Sequence, residues 1–289
     1  MERFFKPAAQ TFMDSITPLE ESQYAVIGAP LDLTSSHRSG SRFSPDAIRQ
    51  ASHYMETYSL RTGLDLEDVS ISDLGNIVDT GSVEGALRNI EDAVSIVVGS
   101  EKVPVMLGGE HAVTLGALRA VRPDLVVDFD AHLDLRDRLL GLRLSHGTFM
   151  RRAMEELDFR LVIIGGRALS KEEVEYVEEN DDRVRLISAD DEGMKTIREW
   201  SDLSSSVYVT VDMDVVDPSS APAVGNPSPE GISVTQLIDM IAGVSDLDIK
   251  GFDLTEVAPH FDSGLTAIQA AYIVLETIYS MESGRRARG

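Results

Sequence analysis

The chain has 289 residues, 43% of them hydrophobic, which is enough for a sizeable core and gives no compositional sign of disorder. It contains no cysteine, so disulfides and thiolate metal sites are excluded, and any metal must be held by oxygen and imidazole. A formal charge of −23 and a pI near 4.5 repel nucleic acid and anionic membranes and attract cations, although an acidic surface serving solubility alone explains the charge as simply.

In chain order, the opening MERFFKPAAQ lacks the apolar centre of a signal peptide, and no run approaches the roughly 18 apolar residues of a membrane span. A soluble, cytoplasmic protein is expected. Eight short apolar runs then recur: YAVIGAP from Tyr24, VSISDLG from Val69, VPVMLGG from Val103, LVVDFD from Leu125, LVIIGG from Leu161, VRLISA from Val184, VYVTVDMD from Val207 and IKGFDLTE from Ile249. Segments of helical spacing separate them, beginning near Pro45 (with Ser44 as cap), Val83, Thr114, Thr148, Lys171, Thr235 and Thr266. Runs that are continuously apolar rather than alternating belong to strands covered on both faces. The expected fold is a single α/β domain over residues 1–289, three-layer α/β/α with a mostly parallel eight-stranded sheet, and a (β/α)₈ barrel is the rival. Asp217 to Gly231 is the longest stretch without periodicity and is a candidate pocket rim. The basic ending from Ser283 to Gly289 reads as a frayed tail.

Asp130, His132 and Asp134 alternate just behind the run at Leu125, and Asp212 and Asp214 repeat that spacing. If the strand continues through them, their side chains leave on one face about 6.5 Å apart. Both clusters fall at the carboxyl ends of strands, where open α/β sheets gather ligands, and His111 in LGGEH supplies a third such end. Four close carboxylates resist joint ionisation unless cations neutralise them. With two imidazoles they exceed what one ion takes from a protein, so two divalent ions about 3.5–4 Å apart, bridged by shared carboxylates, are expected. Oxygen-dominated ligation with two histidines points to Mn²⁺, with Fe, Co or Zn as alternatives. Singly, each piece has a plainer explanation: a capping Asp beside a buried His, a strand-to-turn signal at Asp212 to Pro218, and a tight turn at Gly108-Gly109.

In this order the chain carries GAPLD, HRSGSRFSPDAIRQAS, GGEH, DAHLD, SHGT, DMDVVDP and GFDLTEVAP, and it thereby resembles the ureohydrolase family of arginases and agmatinases over nearly its whole length. The resemblance implies the open arginase/deacetylase-type fold and a dinuclear Mn²⁺ centre, two ions per subunit, that hydrolyses a guanidino group to an amine and urea. It assigns His111, Asp130, Asp134 and Asp212 to one ion and Asp130, His132, Asp212 and Asp214 to the other, with Asp130 and Asp212 as bridges. It also implies Asp134 as general base then acid, Glu256 as counter-charge to the guanidinium, His146 in SHGT as proton shuttle or substrate positioner, and a homo-oligomer, a trimer or hexamer. His37, His53 and His260 match no such role and are read as structural. The chemistry is consistent with the residues: a guanidinium is a poor electrophile whose attack needs hydroxide at neutral pH, and a metal supplies that by lowering the pKa of bound water.

The substrate is narrowed less sharply. Arginases resembling the chain carry Asn where Arg136 stands, so L-arginine is disfavoured, and the N-terminal and GFDLTEVAP motifs look closest to prokaryotic and archaeal agmatinases. Agmatine, cleaved to putrescine and urea, is the expected substrate, with aminopropylagmatine and guanidinobutyrate as alternatives. Ala223 to Pro229 departs from the Gly-Thr-Gly-Thr-Pro-Glu-Pro type of loop common in agmatinases. Arg136 would repel a cationic substrate unless Asp137 pairs it, and would attract a guanidino acid. Two rivals stand beside this reading: a catalytically silent, regulatory metal-binding homologue and a single-Zn²⁺ deacetylase of the same fold.

Overall fold

The structure, a computed structural model, describes residues 4–78, 80–189, 191–201 and 206–288. All eight apolar runs form strands: β2 Tyr24–Ala29, β3 Ile71–Ile77, β4 Val103–Gly108, β5 Leu125–Phe129, β6 Arg160–Ile164, β7 Val184–Ile187, β8 Val207–Asp212 and β9 Ile249–Thr255. A further strand, β1 Phe5–Lys6, pairs antiparallel with β3 through Phe5 and Ile77. Two residues are too few to leave a pattern in sequence, and this strand was not foreseen.

The sheet order is β1-β3-β2-β4-β9-β8-β5-β6-β7, and every pairing beyond β1 is parallel. The two edge strands, β1 and β7, do not pair with each other, so the sheet is open and the barrel is excluded. After β4 the chain crosses over the positions of β9 and β8 to lay down β5, which brings the carboxyl ends of β4, β9, β8 and β5 side by side. Reversals of this kind leave the crevice in which α/β sheets bind ligands.

Helices cover both faces: α1 Ser44–Ser52, α2 Val83–Gly99, α3 Val113–Val121, α4 Phe149–Glu156, α5 Lys171–Glu179, α6 Asp191–Ser201, α7 Val234–Gly243 and α8 Leu265–Arg288. Successive strand residues face opposite layers. Val26, Val105, Val127 and Val209 pack with α1, α6, α7 and α8, whereas Ile27, Met106, Val126 and Tyr208 pack with α2, α3, α4 and α5. That double burial is why the strands read as unbroken apolar runs.

Seven helices begin within one residue of their expected starts, and Ser82, Ser170 and Ser233 cap three of them through their hydroxyls. Ser44 does not cap α1: it is the first helical residue, Phe43 holds the cap position, and the Ser44 hydroxyl is buried without a hydrogen-bond partner. The unforeseen α6 packs Ile197, with Met194 and Trp200 beside it, against the core. That is helical spacing, but Gly193 interrupts it near its start. Through Arg288, the last described residue, the basic ending is not frayed. It continues α8 to Arg288, with Arg285 and Arg286 on Glu282 and Arg288 on the carbonyls of Ser245 and Leu247, and cations suit the carboxyl end of a helix.

Candidate metal centre and active site

β5 stops at Phe129, so Asp130, His132 and Asp134 are not alternate residues of a continuing strand as expected. They lie on a turn that the neighbouring loops hold. Ala131 O accepts from the backbone N–H of Arg167 and of Ala168, at 2.8 and 2.9 Å, and Ala131 N donates to Asp214. Asp130 Oδ1 accepts His132 N at 2.6 Å, and Asp134 takes a positive φ of 53° that turns its carboxylate back toward the cluster. Asp212 is the last residue of β8. Its Oδ1 accepts Asp214 N at 2.8 Å and so opens the short 3₁₀ turn Met213–Val215 that carries Asp214.

The third strand end works through glycine: β4 runs to Gly108, and the chain bends at Gly109 and turns through Glu110 to Val113. Gly109 N donates to Ala29 O, and a Cβ on Gly109 would come within 2.0 Å of Leu31 O. Only glycine permits that backbone approach. Just beyond β4, His111 faces the carboxylates and Glu110 turns to the backbone of Leu33 and Thr34.

The six expected ligands converge. His111 Nδ1 lies 3.0 Å from Asp130 Oδ2, 3.4 Å from Asp212 Oδ2 and 3.5 Å from Asp134 Oδ2. His132 Nδ1 lies 3.0 Å from Asp214 Oδ2 and 3.5 Å from Asp130 Oδ1. Two donor groups able to hold a metal ion result, His111/Asp130/Asp212 and Asp130/His132/Asp214, and they share Asp130.

The electrostatics explain why such a cluster calls for cations. Burial, with the negative charge of Asp130 added, pushes Asp134 up to about 8. Burial, then Asp214, raises Asp212 above the usual carboxylate range, and Asp214 is likewise raised, chiefly by burial. Burial alone would lower His132, yet Asp214 and Asp130 outweigh it and push the imidazole up to about 12. Protein groups alone leave the cluster crowded with protons, and divalent cations are the groups that displace them. Oxygen and imidazole donors within hydrogen-bonding reach of one another fit two such ions.

Behind His111 runs a buried chain of hydroxyls. His111 Nε2 lies 2.9 Å from Thr210 Oγ1, Thr210 donates to Asp253, and Tyr208 donates to the other oxygen of Asp253 at 2.7 Å. Phe149 packs on the His111 ring with centroids 4.6 Å apart. Asp128 is fully buried 3.9 Å from His111 Nε2, and neither of its oxygens has a hydrogen-bond partner.

A cavity of about 180 Å³ opens onto the cluster, lined among others by His132, Asp134, His146, Asp212, Asp214 and Glu256. Glu256 holds a positive φ of 64°, and its Oε1 accepts His111 N at 2.9 Å. Burial, then Asp212, raises it well above the usual carboxylate range. His146, whose pKa burial lowers, lies between Thr34 and Ser36. Arg136 reaches the same cavity, but its partner is Glu173 at 3.5 Å rather than Asp137, which pairs with Arg152 at 3.2 Å. Of the Asp217 to Gly231 loop, Asn226 lines the cavity, and Arg167 ties the loop down through Ser228 O and Pro229 O. Glu173, Ser36, Asn226, Thr34 and Glu110 were not singled out from sequence. Their only local trace was that Glu110 lies in GGEH and Asn226 in the aperiodic loop.

His37 is exposed, His53 bonds Asp14 and Thr11 O, and His260 packs edge-on to Phe43; none of the three lines the cavity. A larger hollow of about 570 Å³ lies at the other ends of the strands, among Tyr24, Val103 and Ile249, away from the donor cluster.

Residues 22–279 match the family model described as Arginase family. The chain belongs to the arginase family. It is similar to an agmatine ureohydrolase structure from Thermoplasma volcanium, with a TM-score of 0.88 and 37% identity over 98% of this chain and 97% of that one. It is 34% identical to the N(1)-aminopropylagmatine ureohydrolase of Thermococcus kodakarensis over 91% of this chain and 92% of that protein. It is also 33% identical to the guanidinobutyrase of Pseudomonas aeruginosa over 92% of this chain and 88% of that protein. The arginase-family protein is thus an agmatinase-like ureohydrolase, a hydrolase of guanidino C–N bonds. Among its described residues no helix is long and apolar enough to cross a membrane.

Proposed function

We propose that the protein hydrolyses agmatine to putrescine and urea at a centre of two divalent ions, Mn²⁺ by the hardness of its donors. The observation that carries this reading is the convergence of His111, Asp130, His132, Asp134, Asp212 and Asp214 beneath a cavity that Glu256 also lines. Asp130, common to both donor groups, would hold both ions together with Asp212; His111 and Asp134 would complete one donor set, His132 and Asp214 the other. When bound, the ions lower the pKa of water and neutralise the carboxylates.

The chain's own residues do the rest. Glu256 faces the planar guanidinium as its counter-charge, a pairing that carboxylate geometry suits. Asp134 takes a proton from the attacking water and returns it to the leaving amine, a base-then-acid role for a carboxylate poised at the cavity wall. His146 moves protons between that site and the mouth. Glu173 offsets the charge of Arg136 and so admits the cationic tail of agmatine.

Arg136 also favours a second reading. It is a cation at the wall of the cavity, its side chain is 37% exposed, and it would bind the carboxylate of a guanidino acid such as guanidinobutyrate. Urea release by Mn²⁺-loaded protein from agmatine, aminopropylagmatine, guanidinobutyrate and arginine separates these readings. Agmatine is expected to give the highest kcat/KM, and absence of urea from all four would refute hydrolysis itself. Two ions per chain are expected, and one ion would instead favour a mononuclear deacetylase-like site. Cytoplasmic residence and a homo-oligomer complete the reading, the latter checked by light scattering.

A further inference from the structure

The hydroxyl of Thr34 stands between a buried carboxylate and the imidazole of His146, and its hydrogen bonds can be counted. Glu110 is fully buried; its Oε2 accepts the backbone N–H of Leu33 at 2.8 Å and of Thr34 at 2.7 Å, and its Oε1 lies 2.9 Å from Thr34 Oγ1. The same Oγ1 lies 2.9 Å from the backbone N–H of His146 and 3.2 Å from His146 Nδ1. A hydroxyl has one proton to give and two lone pairs to offer. The carboxylate, an acceptor only, takes the proton, and the backbone N–H of His146 takes one lone pair. The second lone pair faces Nδ1, and an Nδ1–H satisfies it. The ring's own lone pair is then on Nε2, 3.1 Å from the hydroxyl of Ser36, which gives its one proton to this nearer acceptor rather than to Asn226 Oδ1 at 3.5 Å.

We propose that Glu110 and Thr34 are positioning residues that fix the proton of His146 on Nδ1 and leave Nε2 as the proton acceptor toward the cavity. This rests on the reading in which His146 moves protons. The two sides of the ring differ in a way that suits proton transfer. Thr34 and Glu110 are buried and tied to backbone, whereas Ser36 lies at the cavity mouth beside Asn226. The Nδ1 side is held, and the Nε2 side can exchange its partner for water or substrate. A carboxylate only one hydroxyl away also stabilises the imidazolium that forms when Nε2 takes up a proton.

The test reads the tautomer directly, by ¹⁵N NMR of histidine-labelled protein loaded with diamagnetic Mg²⁺, the His146 signals being those lost in His146→Asn. The expected result is a protonated Nδ1 and a bare Nε2. In Glu110→Gln the side-chain oxygen stays with the two backbone N–H groups, so the amide NH₂ faces Thr34 and donates to it. The hydroxyl must then donate to Nδ1, and the ring proton moves to Nε2. Thr34→Ser is expected to keep Nδ1–H. In turnover, Glu110→Gln should lower kcat about tenfold or more while KM changes less than about twofold, the pattern of a lost proton-transfer geometry. A wild-type ring protonated on Nε2, or a Glu110→Gln protein with the wild-type tautomer, overturns the proposal. Because the tautomer is read without turnover, a protein that releases no urea refutes the ureohydrolase reading and leaves this one decided on its own evidence.

Discussion

His111 Nε2 lies 2.9 Å from the hydroxyl of Thr210, on the opposite side of the ring from Asp130, Asp134 and Asp212, which face Nδ1. Thr210 gives its own proton to Asp253, so it accepts from Nε2–H and leaves the Nδ1 lone pair aimed at Asp130 and Asp212. That is the tautomer a metal ligand needs. Thr210→Val or Asp253→Asn is therefore expected to weaken metal binding about 10- to 100-fold while leaving the fold intact, as read by calorimetric titration with Mn²⁺. Unchanged affinity would remove Thr210 from any role in orienting the ligand.

Asp130 belongs to both donor groups and, among the described residues, is the carboxylate they share. Asp130→Asn should abolish turnover, with a loss of at least about 10³-fold, and should lower the metal content measured by atomic absorption, because it weakens both ions together. Asp212→Asn should behave alike. Near-normal rates in either variant would show that the bridges are misassigned.

Arg136 and Glu173 oppose each other across 3.5 Å at the cavity wall. Arg136→Ala should leave agmatine hydrolysis within a few fold of wild type, since the guanidinium is partly exposed and the buried Glu173 keeps its hydrogen bonds from Leu135 N and Ser170. For guanidinobutyrate the same change should raise KM roughly tenfold if the guanidinium binds the substrate's carboxylate. Equal effects on both substrates would mean that Arg136 does not read the tail.

The raised carboxylates set a pH dependence. Asp134 goes from 3.8 in the unfolded chain to about 8, and His132 from 6.5 to about 12, so across those windows the metal-free folded protein holds more protons than the unfolded chain. Its stability should fall as pH rises, over about pH 4 to 8 for Asp134 and from about pH 6.5 upward for His132. Mn²⁺ displaces those protons, so its binding should release protons, strengthen with rising pH, and reverse the slope. Thermal melting with and without chelator between about pH 5 and 8 measures this. A metal-free Tm that climbs with pH would contradict the arrangement.

Arg49 is buried and bonds both oxygens of Asp73, at 2.8 and 2.9 Å, together with Asn76 and Gly75 O. Arg49→Ala strands a buried carboxylate and should cost about 3–5 kcal/mol in urea denaturation. This part of HRSGSRFSPDAIRQAS joins α1 to β3, and a cost below about 1 kcal/mol would show that Asp73 finds another partner.

Much of the fold was legible because burial on two faces erases the alternation of a strand, and eight such runs, Tyr24 to Ile249, stand out against helical spacing. β1 and α6 escaped for local reasons: Phe5–Lys6 is too short to carry a period, and Gly193 breaks one. The donors were legible as well, since Asp and His at strand ends conflict with burial unless something is bound there. Their presentation was not. Period-2 geometry predicted alternate residues of a strand, whereas Asp134 reaches the cluster through a positive φ and Asp214 through a 3₁₀ turn.

The residue types, their order and the strand ends on which they fall were thus determined by the amino-acid sequence alone, and with them the family and the donor chemistry. The partners of those residues were decided only by the tertiary structure. Thr34 meets His146 across 112 positions and His111 meets Thr210 across 99, and Arg136 found Glu173 instead of its neighbour Asp137. The physical reason is the sheet order: local patterns report the period and burial of each element, but the crossover that sets β4, β9, β8 and β5 side by side is a long-range choice that no single stretch encodes.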